Sequence, residues 1–219
     1  MADPQIVAVG GDPWEMYGRV LSLVKPFPRM LWVGTASAED PAFSLRVHDD
    51  FRDRADVRRL EFFPWPPQDI RDLVLSQDVI VVGGGNTANM LAIWRVHGFD
   101  ALLREAWEQG IVLTGSSAGM LCWFEAGVTD SFGPQLEGMR DGLGFLPGSA
   151  CPHYDGEERR RPVYRQLVDD GFPPGYAADD CAALHFVGTE LAEVWTTRDG
   201  STAYRVEPGA ETPLRARLA

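Results

Sequence analysis

Short apolar runs, each followed by a turn and then by a helical pattern, constrain this chain more than any other feature. Gln5-Ile-Val-Ala-Val9, Met30-Leu-Trp-Val33, Leu60-Glu-Phe-Phe63, Val79-Ile-Val-Val82 and Ile111-Val-Leu113 form the series. A strand that is apolar along its length is buried on both faces, as happens when helices cover a parallel sheet from either side. The intervening segments have the spacing to do this. Trp14, Tyr17, Val20, Leu21 and Val24 fall on one face of a helix over 14–24, which Pro26 and Pro28 stop. Pro41, favoured in a first helical turn, opens another helix through Phe43 and Val47 to Phe51. Further helices are predicted over 69–75, 89–97 and 101–109. At 219 residues the chain is long enough for one substantial core. The expectation is a single α/β domain over 1–219: a three-layer α/β/α sandwich with a mostly parallel central sheet, its ligands bound outside the carboxyl ends of the strands.

Beyond residue 124 the pattern loosens. Six glycines and two prolines between 125 and 150 predict loops around the site. A helix is expected over 159–168 and strands over 175–178 and 182–187. Leu191–Thr197 and Ala203–Val206, separated by Arg198-Asp-Gly-Ser201, read as a hairpin, and the last dozen residues as a weak edge strand or a tail.

Two of the turns carry residues that can do chemistry. Val112-Leu-Thr-Gly-Ser-Ser-Ala-Gly-Met-Leu-Cys-Trp123 passes from an apolar run through G-x-S-x-G into a helix-compatible segment, 120–124. A serine on a sharp strand-to-helix turn projects its hydroxyl clear of the backbone, which makes Ser117 a candidate nucleophile. The N–H that follows it, on Ala118, is free to donate to an oxyanion. Gly83-Gly-Gly-Asn-Thr87 also follows a strand, and so lies on the same rim. It lacks the lysine of a phosphate loop and the third glycine of a dinucleotide turn. It is either a tight turn or the second source of an oxyanion N–H.

A serine needs a base. Of the four histidines, His48 and His97 lie on a surface helix or helix end, and His185 lies inside an apolar strand. His153 follows Ala150-Cys-Pro on a predicted loop and is the candidate base. Two acids can orient it: Asp180, in Ala178-Asp-Asp-Cys181, and Asp130, in Val128-Thr-Asp-Ser131. Triads occur in several chain orders, so order does not choose between them. Arg159-Arg-Arg161 offers a clamp for a substrate carboxylate, with a solvated helix face as the use of at least two of the three. Asn86, Arg159 and Arg160 are the candidates for holding substrate.

The charge balance bounds the partners. A net charge of −12 repels nucleic-acid phosphates and anionic membranes, so neither is an expected partner. There is no apolar run of about 18 residues and no basic, apolar leader in the opening Met-Ala-Asp-Pro-Gln. Three isolated cysteines, Cys122, Cys151 and Cys181, suit a reducing compartment rather than a disulfide framework or a zinc site. A cytoplasmic address follows. The sequence does not choose between a monomer and a homodimer.

Taken together, VVGGGNTANML, GSSAGM, WFEAGVTDS, CPHYD and AADDCAAL, in that order between Val79 and His185, resemble the peptidase E (aspartyl dipeptidase) family, which includes the cyanophycinases. The resemblance covers about half the chain. It implies a class-I-glutaminase-like sandwich and a cytoplasmic serine peptidase that needs no metal or other cofactor. It implies Ser117 as nucleophile, His153 as base, and Gly85 and Ala118 as oxyanion donors. Asp180 stands where these enzymes usually carry Glu, one methylene longer, and Asp130 falls near another acid implicated in the family. The segment after His153 is also shorter than in the aspartyl dipeptidases. The implied reaction is hydrolysis of short peptides, dipeptides with an N-terminal Asp among them, through an acyl-enzyme. The alternatives are a cyanophycinase-like hydrolase or an esterase with the same triad, or a catalytically silent binding protein using the same rim.

Overall fold

The computed structural model describes residues 3–219, so Met1-Ala2 of the N-terminal stretch considered above lies outside the described residues. In chain order it contains β1 (Gln5–Val9), α1 (Trp14–Val24), β2 (Arg29–Val33), α2 (Pro41–Phe51), β3 (Asp56–Leu60), α3 (Ile70–Leu75), β4 (Val79–Val82), α4 (Thr87–Val96), α5 (Phe99–Glu108), β5 (Val112–Ser116) and α6 (Ala118–Leu121). These are followed by β6 (Phe124–Thr129), β7 (Glu137–Met139), β8 (Leu146–Cys151), α7 (Arg160–Asp169), β9 (Gly175–Ala178), β10 (Ala182–Val187), β11 (Glu190–Thr196), β12 (Ala203–Glu207), β13 (Ala210–Pro213) and β14 (Ala216–Leu218).

Eight strands form the main sheet, in the order β14-β11-β10-β1-β5-β4-β2-β3. From β1 to β3 every pairing is parallel, while β10 is antiparallel to both β1 and β11. The alternation of side chains along each strand feeds two separate cores. Val7 and Val9 of β1 join Met16, Tyr17, Val20 and Phe51 from α1 and α2 on one face. Ile6 and Ala8 join Met90, Trp94 and Leu103 from α4 and α5 on the other. Each large side chain fully buried in this way contributes roughly 1.5–3 kcal/mol. This is the predicted mostly parallel sheet covered on both faces. Two of the helices, α2 and α4, begin at a side-chain cap. Asp40 accepts from the Ala42 N–H at 2.8 Å, just before Pro41.

The second half departs from expectation. Residues 125–150 hold β6, β7 and β8 of a second, six-stranded sheet, ordered β13-β12-β9-β8-β6-β7, rather than loops. Ala126, Val128, Ala177 and Val206 of that sheet pack against Tyr164 and Val168 of α7. The predicted hairpin is also absent. β11 pairs with β10 and β14, and β12 with β9 and β13, so Arg198–Ser201 carries the chain from one sheet to the other. The helix expected over 120–124 stops at Leu121, because Phe124 already pairs with Leu146 in the second sheet. The third strand runs over 56–60 instead of 60–63. Its polar residues suit the sheet edge, and the Phe62 and Phe63 N–H groups are taken by the Glu39 carboxylate at 2.5 and 3.2 Å.

Candidate active site

β1, β5 and β4 are neighbours, so the turns that leave their carboxyl ends are neighbours too. The turn after β5 holds Ser117 at φ 57°, ψ −112°. A non-glycine residue in that region costs about 1–3 kcal/mol and persists only where its surroundings impose it. Here its N–H is tied to the carbonyl of Val9 at 3.2 Å, and its carbonyl accepts from Met120 and Leu121 at the start of α6. The hydroxyl makes no hydrogen bond among the described residues.

The turn after β4 packs against this serine. A Cβ at Gly84 would lie 3.2 Å from that of Ser117. Gly85 has φ +136°, and a Cβ there would sit 2.1 Å from the Ala36 carbonyl oxygen, so only glycine fits. The N–H groups of Gly85 and Ala118 have no acceptor among the described residues. Asn86, next along, is used as the cap of α4. Its Oδ1 accepts from the Asn89 N–H at 2.9 Å, and its amide donates to the Ser131 carbonyl at 2.9 Å.

His153 follows β8 in a left-handed conformation, φ 53°. Its ring Nδ1 lies 2.7 Å from Asp180 Oδ1, which makes Nδ1 the protonated nitrogen and leaves Nε2 an acceptor. The turn after β1 holds the pair together. Gly10 accepts from the His153 N–H at 3.3 Å, Gly11 bridges to Asp180, and the Gly11 carbonyl accepts from Cys181 at 2.9 Å. A Cβ on Gly11 would fall 1.9 Å from Asp180 Oδ1 and 2.5 Å from His153 Nδ1, so the backbone lies flush against both. An aspartate reaches the ring because both residues hang on one two-residue turn. Behind it, Asp155 accepts from the Asp180 N–H at 2.7 Å, and Arg198 bonds both the Asp155 carboxylate and the Asp180 carbonyl.

Ser117, His153 and Gly85 line one cavity of about 320 Å³, walled by Trp14, Tyr17, Trp32, Phe43 and Arg46. No hydrogen bond joins Ser117 to His153 in this state. In a resting enzyme such contacts commonly tighten only around substrate. Tyr17 donates to Ser116 Oγ at 3.3 Å, and burial pushes its phenol far above the usual range, so it stays a neutral donor. A larger hollow of about 550 Å³ beside α5 is lined by Arg95, Arg104, Glu105 and Glu108 and contains neither Ser nor His.

The other sequence candidates lie elsewhere. Asp130 is exposed just past β6, and the carboxylate bonded to His153 is that of Asp180. Arg160 is 4% exposed and donates to the Val128 carbonyl at 2.8 Å and to Glu157 at 2.7 Å, so it braces α7. Arg159 is exposed and donates to the Pro134 carbonyl at 3.0 Å. His185 is buried against Trp195, its ring centroid 4.6 Å away, as expected of a structural histidine. Sequence reasoning missed Gly11 and Arg46. A glycine pair after a strand was the available signal for the first. Arg46 gave none, since it reaches the cavity from the middle of a helix.

The neighbouring Asp179 yields a pH prediction. Burial pushes its carboxyl up to about 6, the Asp155 charge adds to this, and a hydrogen bond from the Thr202 N–H opposes it. Folding therefore favours the protonated form, and stability falls as pH rises from about 4 to about 6. Asp179→Asn keeps the acceptor and removes the charge. It should raise stability at pH 7 by roughly 2–3 kcal/mol and give no gain below pH 4. Urea denaturation at both pH values checks this, and an equal gain at each would contradict it.

A doubly covered parallel sheet with a strained serine, a histidine–carboxylate pair and free N–H groups at its carboxyl rim is the arrangement that serine hydrolase chemistry requires. The comparisons with known proteins narrow the class. Residues 18–194 match the sequence model of peptidase family S51. A Bacillus subtilis (strain 168) protein named as the uncharacterized peptidase YgaJ is 46% identical over 224 residues, covering 96% of each chain. Among solved structures, a peptidase from an acI-B1 Actinobacterium superimposes with TM-score 0.70 at 16% identity, over 98% of this chain and 95% of that one. A candidate peptidase E protein of Listeria monocytogenes EGD-e gives 0.66 at 18% identity, over 87% and 98%. The chain belongs to peptidase family S51 and is a serine-type peptidase. No helix among the described residues is long and apolar enough to cross a membrane.

Proposed function

We propose that this peptidase hydrolyses short peptides through an acyl-enzyme on Ser117. His153 Nε2 takes the hydroxyl proton as Oγ attacks the scissile carbonyl, and returns it to the leaving amine. Water then repeats the cycle on the ester. Asp180 holds the tautomer that leaves Nε2 free. The N–H groups of Gly85 and Ala118 stabilise the tetrahedral oxyanion, each worth roughly 3 kcal/mol of barrier. The observation that carries this reading is the 2.7 Å His153–Asp180 bond beside the cavity that Ser117 and His153 both line.

A cavity of about 320 Å³ is at the small end of ligand sites, which supports short substrates over folded proteins. The likeness to a peptidase E protein makes Asp-X dipeptides the first substrates to assay. The three cysteines, buried and unpaired, support a cytoplasmic setting. The test is a panel of Asp-X, Gly-X and β-Asp-Arg dipeptides together with a p-nitrophenyl ester. Release of amino acids from α-linked dipeptides is the expected result. Cleavage confined to β-Asp-Arg or to the ester would replace it with the cyanophycinase-like or esterase reading, and no turnover at all with that of a binding protein.

A further inference from the structure

We propose that Arg46 is a specificity residue of this site, binding a carboxylate of the peptide substrate. The inference rests on the peptidase reading above. Among the residues that line the Ser117 cavity, Arg46 carries the one permanent positive charge, in a chain whose net charge is −12. The arginines that the sequence offered for this task are occupied elsewhere: Arg160, the first residue of α7, is buried and bonded to the Val128 carbonyl, Arg161 pairs with Glu211, and Arg159 is bonded to the Pro134 carbonyl.

The guanidinium of Arg46 is placed rather than loose. Its Cζ sits 4.0 Å over the Trp14 ring, a cation–π contact. Trp14 in turn stacks on Phe51, at 6.3 Å and 24°, and meets Tyr17 edge-on at 6.4 Å. Asp50 lies 3.5 Å from Nε, in an exposed i,i+4 pair of the kind worth a few tenths of a kcal/mol. The two terminal nitrogens make no hydrogen bond among the described residues. They form the edge of the fork that takes a carboxylate bidentately. The side chain is 58% exposed, so water and salt weaken its field until a ligand excludes them. Of the remaining walls, Trp32, Phe43 and Tyr17 are aromatic and give a substrate shape, while Asp12 is the one acidic side chain in the lining and suits a substrate's free amine rather than its carboxylate.

The carboxylate can be the C-terminal one of a dipeptide or an acidic side chain, and one experiment separates them. Peptide binding is measured by titration calorimetry on Ser117→Ala, which holds substrate without consuming it, and on Ser117→Ala carrying Arg46→Gln or Arg46→Lys. Ala-Leu against Ala-Leu-amide reads the C-terminal carboxylate. Asp-Leu-amide against Asn-Leu-amide reads the side chain. The expected result is a preference of about tenfold or more for the charged member of one pair, as charge-assisted hydrogen bonds give. Arg46→Gln should abolish that preference and Arg46→Lys should restore it in part. The same preference in Arg46→Gln, or none for either pair in the parent, would overturn the proposal. Because binding is read without turnover, a failed dipeptide assay would count against the peptidase reading and leave this one to its own result.

Discussion

Ser117→Ala is expected to lower kcat by about 10⁴-fold to 10⁶-fold while leaving the fold unchanged. Removing the nucleophile of a serine peptidase leaves only what the oxyanion donors and substrate binding supply. The structural cost is small. The Ser117 hydroxyl makes no hydrogen bond among the described residues, and the contacts that impose φ 57° run through its backbone N–H and carbonyl. Alanine keeps the Cβ and so inherits the same strain. Turnover assays with far-UV circular dichroism on the same sample check both halves. Activity within tenfold of the parent would remove Ser117 from the mechanism.

Asp180→Asn should cost about 10⁴-fold in kcat, and Asp130→Asn less than twofold. An asparagine at 180 can present its amide N–H to Nδ1, which favours the tautomer with the proton on Nε2, the wrong one for a base. The Asp180 backbone contacts, to Asp155 and to Arg198, survive the change, so the loss would be chemical rather than structural. Asp130 is exposed and stands away from that hydrogen bond. Kinetics on both variants in parallel decide between the two acids that the sequence left open, and a severe loss in Asp130→Asn alone would reverse the assignment.

The parallel half of the fold was legible because its strands are apolar on both faces. Such runs state their burial directly, and β1, α1 and α2 fall where periodicity and caps put them. The second sheet was not. β6 and β8 contain Gly127, Pro147 and Gly148 among small residues, a composition that signals turns when neighbouring strands are unseen. The turn at 198–201 looks like a hairpin because local sequence does not say which sheet each arm joins. At the site, Ser117, His153 and Asp180 were readable as residue types that need each other. Gly11 and Arg46 were not, since their part comes from where β1 and α2 end up in space. Asn86 and Arg160 show the converse. Polar residues close to the site in sequence are used to cap one helix and brace another.

The most direct test of the mechanism is to trap the acyl-enzyme. A slowly deacylating ester, such as a p-nitrophenyl ester of a bulky acid, should add one acyl mass to the intact protein. Peptide mapping should place it on the fragment that holds Ser117, and the adduct should be missing from Ser117→Ala. No adduct during turnover, or one on any other residue, would contradict the account.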